Sequence, residues 1–235
     1  MKTLLFLLLT LLVVPGSMAD DWDIKGEARA LGNGDFLYEE THYLTYNDDG
    51  DIEERRVEYA NADGDIIAIK VLIHDTDYRY VPSLDWEDKE EEITITGRLS
   101  NNTYTQRIQG PDRDDEESAS LPDPDEIAFD AAFDQYLLDR MDELLEEGRI
   151  RFDFLSLSAG RTYSFRADVN SSSDSEAEID VGPRSSVIRW FVDPITLTYD
   201  LDERRLTRYV GVTNFRRDGD LVEADIQYRY PDEAE

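Results

Sequence analysis

Cysteine is absent from this chain of 235 residues, and there are only two histidines. Without cysteine the protein can form no disulfide bonds, thiol-dependent active sites or cysteine-ligated zinc sites. Its stability must therefore come from a hydrophobic core, and the chain is long enough to build one. No glycine-rich phosphate loop, nucleophile elbow or zinc signature is present either. The sequence therefore predicts no cofactor and no metal ion.

Positive charge is also scarce. The chain has 24 Lys and Arg residues against 55 Asp and Glu residues, a net charge of −31 at pH 7. This excess argues against nucleic acid or an anionic membrane surface as a partner. The acids are spread along the chain, and an acid-rich surface with few lysines suits high salt, where repulsion is screened. We expect a halophilic or marine source, with binding to a cationic partner as the alternative explanation.

Long hydrophobic runs are missing except at the N terminus. Lys2 precedes an apolar stretch from Leu4 to Val14, which ends at Pro15 and is followed by the small-residue segment 17–19. This pattern is typical of a signal peptide, residues 1–19, cleaved after Ala19. An uncleaved anchor is the alternative. We expect a periplasmic protein with no integral membrane segment after cleavage.

Residues 20–235 form a single β-rich domain, because apolar and polar residues alternate along most of this range. Asp-Gly pairs, a strong hairpin signal, occur at 49–50, 63–64 and 218–219. Two polar stretches, 110–121 and 170–178, are predicted to be surface loops. The pattern predicts about ten or eleven strands.

One helix is predicted at about 124–147, within this β-rich pattern. Asp123 suits the N-cap, Pro124 the first helical position and Gly148 the C′ position. A helix of this length would be about 36 Å long and could cross a small sheet. The predicted fold is mainly β (α+β), a curved antiparallel half-barrel of about 10–11 strands wrapped around this helix. A full β-sandwich is the alternative.

Two segments carry a resemblance to a known family. They are FDAAFDQYLLDRMDELLEEGRIRFDF at 129–154, a helix followed by a strand, and ITLTYDLDERRLTRYVGVTNF at 195–215, two strands around a turn. The order of elements resembles the periplasmic lipoprotein carriers of the LolA/LolB type and uncharacterised exported bacterial proteins. The resemblance implies a half-open sheet that cups helices and can hold an acyl chain. This chain departs from the carriers in having one dominant helix, and it carries no diagnostic motif.

Two acids of the predicted helix, Asp130 and Asp134, lie on its apolar face. Residues four apart on a helix are neighbours, so the two carboxyl groups could form a catalytic or cation-binding pair. The alternatives are structural ion pairs with arginines and an error in the helical phase. The structural ion-pair candidates are Asp130, Asp134, Arg189 and Arg208, and further arginines on the later strands are Arg184, Arg204 and Arg205.

Aromatic and aliphatic residues on the helix and the later strands could line a cavity or form ordinary core. The candidate ligand-binding residues are Phe129, Phe133, Leu137, Met141, Tyr163, Phe165 and Trp190. The two histidines add little. His42 lies on the apolar face of its strand two residues from Glu40, and no paired-histidine spacing supports a metal site.

The predicted function is that of an exported, non-enzymatic envelope protein that holds a lipid or other apolar small molecule between sheet and helix. A protein-interaction or scaffold module, with another envelope protein as partner, is the first alternative. A hydrolase that uses Asp130 and Asp134 is the second.

Overall fold

The structure, a computed structural model, describes residues 22–75, 78–129, 132–156, 161–184, 194–217 and 220–231. The expected signal peptide, residues 1–19, lies outside these ranges. Asp130, Arg189, Trp190 and the Asp-Gly pair at 218–219 also lie outside them. Within the described ranges, no helix combines the length and the apolar character needed to cross a membrane.

The described residues form fifteen strands and three short helical segments. The strands are β1 (Ile24–Ala30), β2 (Phe36–Tyr46), β3 (Ile52–Ala60), β4 (Ile66–Asp75), β5 (Tyr78–Asp88), β6 (Ile93–Ser100), β7 (Thr103–Gly110), β8 (Arg113–Ser120), β9 (Ile127–Phe129), β10 (Arg149–Ser156), β11 (Arg161–Ser172), β12 (Glu176–Pro183), β13 (Ile195–Asp200), β14 (Arg205–Arg217) and β15 (Asp220–Arg229). The helical segments are a 3₁₀ turn (Pro124–Glu126), α1 (Phe133–Asp139) and α2 (Met141–Glu147).

All fifteen strands belong to one sheet, in the order β8-β7-β6-β5-β4-β3-β2-β1-β15-β14-β13-β12-β11-β10-β9. Neighbouring strands are antiparallel except β9 and β10, which are parallel. The pairing of β1 with β15 joins a meander from the first half of the chain to one from the second half. The sheet therefore consists of two meanders, which are joined where β1, the first strand of the chain, pairs with β15, the last.

The sheet curls so that distant strands pack against each other, as sheets of this size usually do. The Phe215 ring on β14 lies 4.5 Å from the Tyr38 ring on β2 and 5.3 Å from the Trp86 ring on β5, between ring centroids. At the far end, Phe129 on β9 lies 5.4 Å from Tyr104 on β7. Side chains from the sheet itself thus fill most of its concave face.

The expected half-barrel of ten or eleven strands around one long helix is wrong. The segment predicted as a helix at about 124–147 divides into the 3₁₀ turn, β9, α1 and α2. Ile127–Phe129 is fully buried and pairs with Asp153–Leu155 of β10. Arg140 interrupts the remaining helix, with ψ near 12°. Long-range strand pairing has overridden a local helical preference, which is a weak determinant beside tertiary contacts.

The short helices lie on the second half of the sheet. Phe133, Tyr136 and Leu137 of α1 and Met141 and Leu144 of α2 are buried in a core cluster with β10–β13. A second cluster is formed by β1–β7, β9 and the inner residues of β14 and β15. The two clusters meet near α1, where the candidate site lies.

Several local predictions are confirmed. The first two Asp-Gly pairs form the β2–β3 and β3–β4 turns, in which Gly50 and Gly64 have positive φ. Ser100-Asn101-Asn102 connects β6 to β7 as expected. The loop predicted at 110–121 is wrong, because most of it is β8, an edge strand. Its charged side chains are typical of protected sheet edges.

Candidate functional site

A cavity of about 260 Å³ lies between the concave face of the sheet and the first turn of α1. Its walls come from β2, β3, β14 and β15, with single residues of β4 and β5 and three residues of α1. The three α1 residues are Phe133, Asp134 and Leu138. The cavity therefore lies where the sequence predicted a ligand, between sheet and helix, but strands supply most of its lining.

Strand alternation places charged side chains in this wall. Successive residues of a strand point to opposite faces, so Tyr38, Glu40 and His42 of β2 share the concave face. On β3 the same face carries Arg55 and Tyr59. All five are at most 9% exposed. The otherwise apolar concave face of β2 and β3 thus buries three polar side chains, those of Glu40, His42 and Arg55.

Glu40 accepts hydrogen bonds from two side chains. His42 Nε2 lies 3.0 Å from Glu40 Oε2, and the Tyr228 hydroxyl donates to the same oxygen at 3.3 Å. Burial lowers the pKa of His42, helped by the charges of Arg55 and Lys70, although Glu40 opposes this shift. The ring is therefore neutral near pH 7. A carboxylate only accepts, so Nε2 carries the proton and Nδ1 carries a lone pair. This buried Nδ1 atom finds no hydrogen-bond partner among the described residues.

Gly26 on β1 makes room for this network. A Cβ atom at Gly26 would stand 2.8 Å from Tyr228 Cε1. Burial raises the pKa of Tyr228 well above its usual value, and the negative charge of Glu40 raises it further. The Tyr228 hydroxyl therefore stays protonated and remains a donor to Glu40.

Asp134 forms an ion pair with Arg55. Arg55 Nη1 donates to Asp134 Oδ2 at 2.9 Å, and the two side chains are 11% and 21% exposed. Burial by itself would raise the pKa of Asp134, but the charge and hydrogen bond of Arg55 outweigh it and lower this pKa. The same pairing raises the pKa of Arg55 despite its burial. The pair is ionised, and it attaches the first turn of α1 to β3.

Asp134 therefore contacts an arginine, as the structural interpretation required, but not one of the arginines on the later strands. Arg208 binds Asp225 of β15 with two hydrogen bonds, at 2.8 and 2.6 Å, on an exposed face. Arg204 donates to Asp142 and to the Leu138 carbonyl. The other two ion-pair candidates, Asp130 and Arg189, lie outside the described residues.

The candidate ligand-binding residues do not form one site. Of the seven, Phe133 lines the cavity. Phe129 packs against Tyr104, and Leu137, Met141 and Phe165 lie in or against the core cluster that α1 and α2 form with β10–β13. Tyr163 is half-buried, with its hydroxyl near Arg161 Nε, and Trp190 lies outside the described residues.

Four aromatic residues of the wall, Tyr38, Tyr59, Trp86 and Phe215, were missed by sequence reasoning. They lie on β2, β3, β5 and β14, and only curling of the sheet brings them together. One signal was available in the sequence, namely polar residues at positions of β2 and β3 that alternation assigns to the apolar face. His42 and Glu40 show this signal on β2, and Arg55 shows it on the neighbouring strand β3. Within the described part of the chain, no group of three or more His, Asp or Glu side chains could hold a metal ion.

No protein-family model matches this chain, and no curated protein matches its sequence. A porin-like protein from Bacteroides uniformis aligns with 89% of this chain and 96% of its own, at 10% identity and a TM-score of 0.25. An acyl-CoA thioesterase II from Mycobacterium marinum aligns over 90% and 81%, at 13% identity and a TM-score of 0.15. These scores are too low to indicate a shared fold. The resemblance to lipoprotein carriers gains no support from the family comparison.

Proposed function

We propose that this protein is an exported, non-enzymatic binding protein of the bacterial envelope that holds a small, partly apolar molecule in the cavity beside α1. The observation that carries the proposal is the cavity itself, which is lined largely by aromatic rings and contains buried charged groups at one side. Ligand sites in proteins are typically concave and mostly apolar, with a few placed polar groups that orient the ligand.

The size of the cavity limits the ligand. Ligand pockets usually measure about 300–1,000 Å³, and this one, at about 260 Å³, is slightly smaller. Its aromatic wall is closely packed, because the Phe215 ring lies against Tyr38, Tyr59 and Trp86 at 4.5–5.3 Å between centroids. A compact molecule or one medium-length chain suits this space better than a complete membrane lipid.

The hydrolase alternative is less well supported. A carboxyl group that acts as a general acid near neutral pH needs a raised pKa. Arg55 instead lowers the pKa of Asp134 and occupies one of its oxygens at 2.9 Å. Asp134 is therefore better suited to positioning α1 than to proton transfer.

The scaffold alternative has one feature in its favour. β8 ends the sheet, and seven of its eight residues are exposed. Some of its acids form ion pairs with nearby arginines, as in Arg107–Asp114 and Arg113–Asp115. These charges weaken the case for strand pairing, however, because charged edge strands generally resist pairing with another strand. A stoichiometric partner recovered from periplasm by pull-down, and lost when β8 is altered, would favour this function.

Native mass spectrometry of the protein after mild extraction from its own host tests the binding function. We expect a population that carries one small non-covalent ligand. Val212→Phe, in the cavity wall, should remove that population by filling the space. Ile73→Phe, at a position 47% exposed on β4, is the matched control and should retain it. If the wild-type protein carries no adduct and binds no apolar probe, the proposal fails.

A further inference from the structure

The cavity lining is richer in basic residues than the molecule as a whole. Acids outnumber bases by 55 to 24 in the whole chain. Among the residues that line the cavity, four are basic and two acidic. The basic residues are Arg55, Lys70, Arg204 and Arg205, and the acidic ones are Glu40 and Asp134. Arg204 and Arg205 form ion pairs with Asp142 and Asp200, which lie outside the lining. The cations of the inner wall are therefore Arg55 and Lys70, beside the acids Glu40 and Asp134.

The inner part of this wall has a defined geometry. Val57 of β3 pairs with His42 on β2 and with Lys70 on β4. Arg55 lies two residues from Val57 on the same face of β3. Directly paired residues have Cβ atoms about 4.5–5.5 Å apart, and diagonal neighbours about 7–8 Å. Arg55, His42 and Lys70 thus surround Val57, a small side chain that is fully buried.

The acids nearby already have partners. Glu40 accepts from His42 and Tyr228, and Asp134 accepts from Arg55 Nη1. The guanidinium of Arg55 keeps a further donor, because its Nε has no hydrogen-bond partner among the described residues. A guanidinium offers five N–H donors in a fork that matches a carboxylate, so one bound acid does not saturate it.

Apolar surface adjoins these charges. Tyr59 follows Val57 on the same face of β3, and its ring lies 5.7 Å from Lys70 Nζ. Trp86 is paired with Lys70 across β4 and β5, and its ring lies 5.4 Å from that of Tyr59. The wall therefore changes from cationic to aromatic within two strand positions, which is the arrangement an amphipathic ligand requires.

We propose that the ligand is an amphipathic carboxylate, with its anionic group between Arg55 and Lys70 and its apolar body against Tyr59, Trp86 and Phe215. This inference rests on the proposed binding function and adds the chemical class of the ligand. Arg204, whose side chain is 49% exposed, lies at the solvent side of the cavity and would attract the anion towards it.

Isothermal titration calorimetry of the exported chain with three probes of equal chain length tests the inference. The probes are octanoate, octan-1-ol and octylamine, at pH 7.5. Hydrogen bonds to charged groups are stronger than neutral ones, so octanoate should bind at least about tenfold more tightly than octan-1-ol. Lys70→Gln should remove most of that preference. Lys89→Gln, at an exposed turn position, is the matched control and should retain it.

The outcomes separate the inference from the function on which it rests. Equal binding of octanoate and octan-1-ol would overturn the anionic ligand and leave the binding function standing. Tighter binding of octylamine would also overturn it, because Glu40 and Asp134 would then select the ligand. If none of the three probes binds, the binding function and the inference fail together. The comparison of probes on the wild-type protein decides the matter even if Lys70→Gln does not fold.

Discussion

The buried charges are the most informative residues of this protein. A buried ion pair or network often contributes little net stability, since removing the charges from water is costly. Glu40, His42, Tyr228, Arg55 and Asp134 nevertheless form two such groups next to the cavity. One group connects β2 with β15, and the other connects β3 with α1. We interpret them as groups that hold the cavity wall in one arrangement, which a binding site needs.

Asp134→Asn should destabilise the protein by about 2 kcal/mol, because Arg55 would keep its charge in a buried site. Loss of one partner from a fully buried pair costs about 3–5 kcal/mol, and Asp134 is 21% exposed. The measurement is urea unfolding. Asp142→Asn is the control, since this Arg204 partner is 88% exposed and exposed pairs contribute at most about 1 kcal/mol.

The double variant Arg55→Met/Asp134→Leu should be more stable than Asp134→Asn, because it removes both charges together. If Asp134→Asn loses no more stability than Asp142→Asn, the Arg55–Asp134 pair does not hold α1 on the sheet.

Stability should fall as the pH drops from about 6.5 to about 5.5. The folded pKa of His42 is lowered, chiefly by burial, so between that pKa and the unfolded value of about 6.5 the unfolded chain binds more protons. Stability is therefore complete above about pH 6.5 and decreases below it. Asp134 acts in the same direction only below about pH 4. Urea unfolding at several pH values measures the slope.

His42→Gln should reduce this pH dependence, because a glutamine amide can still donate to Glu40 but does not titrate. Burial also lowers the pKa of His74, so His74→Gln is the necessary comparison and should leave the His42 contribution. An unchanged slope in His42→Gln would show that His42 is not the buried titrating group.

At the scale of elements, the segment 124–148 shows how far local signals reach. The end of the helix was predicted correctly at Gly148, which adopts the left-handed conformation with φ 70° after α2. The start was not, because Ile127–Phe129 is a strand and Pro124 begins a 3₁₀ turn. A C-terminal cap depends on one residue's φ, whereas β9 exists only because β10 is available to pair with it.

Gly148→Ala should cost about 1 kcal/mol, because an L-residue is strained in the left-handed region. No atom lies within 4 Å of the Cβ position, so the loss is conformational. Gly148→Asn should cost less, since asparagine tolerates this conformation better. The free energy of unfolding, from urea titration, distinguishes the two.

Gly26 is the control for this prediction, because a side chain at this position is excluded by steric contact and not by backbone strain. A Cβ there would meet Tyr228 at 2.8 Å, so Gly26→Asn should be at least as damaging as Gly26→Ala. If asparagine is no better than alanine at position 148, the conformational explanation is wrong.

At the scale of the whole molecule, net charge dominates. The net charge of −31 is distributed over a sheet with much exposed surface. Many arginines form ion pairs with acids on neighbouring strands, for example Arg98 with Asp85 and Arg208 with Asp225. These pairs cannot compensate an excess of this size, so most surface acids repel one another at low ionic strength.

The melting temperature should rise when NaCl increases from about 0.05 to 1 M, because the screening length falls to about 3 Å at 1 M. KCl should act equally if the effect is screening rather than binding of a particular cation. Differential scanning calorimetry provides the measurement. A melting temperature that stays flat across the titration would contradict both the repulsion argument and the expectation of a halophilic source.

Whole-molecule arrangement is also where prediction from the sequence was least effective. Alternation and Asp-Gly pairs identified the β class and the β2–β3 and β3–β4 hairpins, since each depends on residues close in the chain. β8 was missed because it is polar on both faces and has no apolar pattern to reveal it, and β9 was missed because it lies in the predicted helix. Asp134 was recognised as facing inwards, but its partner Arg55 lies on a strand 79 residues earlier.

The sequence by itself determined the mainly β class, the positions of the local turns, the end of α2 at Gly148 and the absence of any disulfide or cysteine-ligated metal. These follow from side-chain chemistry and from backbone preferences over a few residues. Only the tertiary structure decided that β1 pairs with β15, that Ile127–Phe129 is a strand, and that Tyr38, Trp86 and Phe215 enclose a cavity with Arg55 and Lys70. Those contacts join residues far apart in the chain, and their free energy arises only when the sheet curls and buries them together.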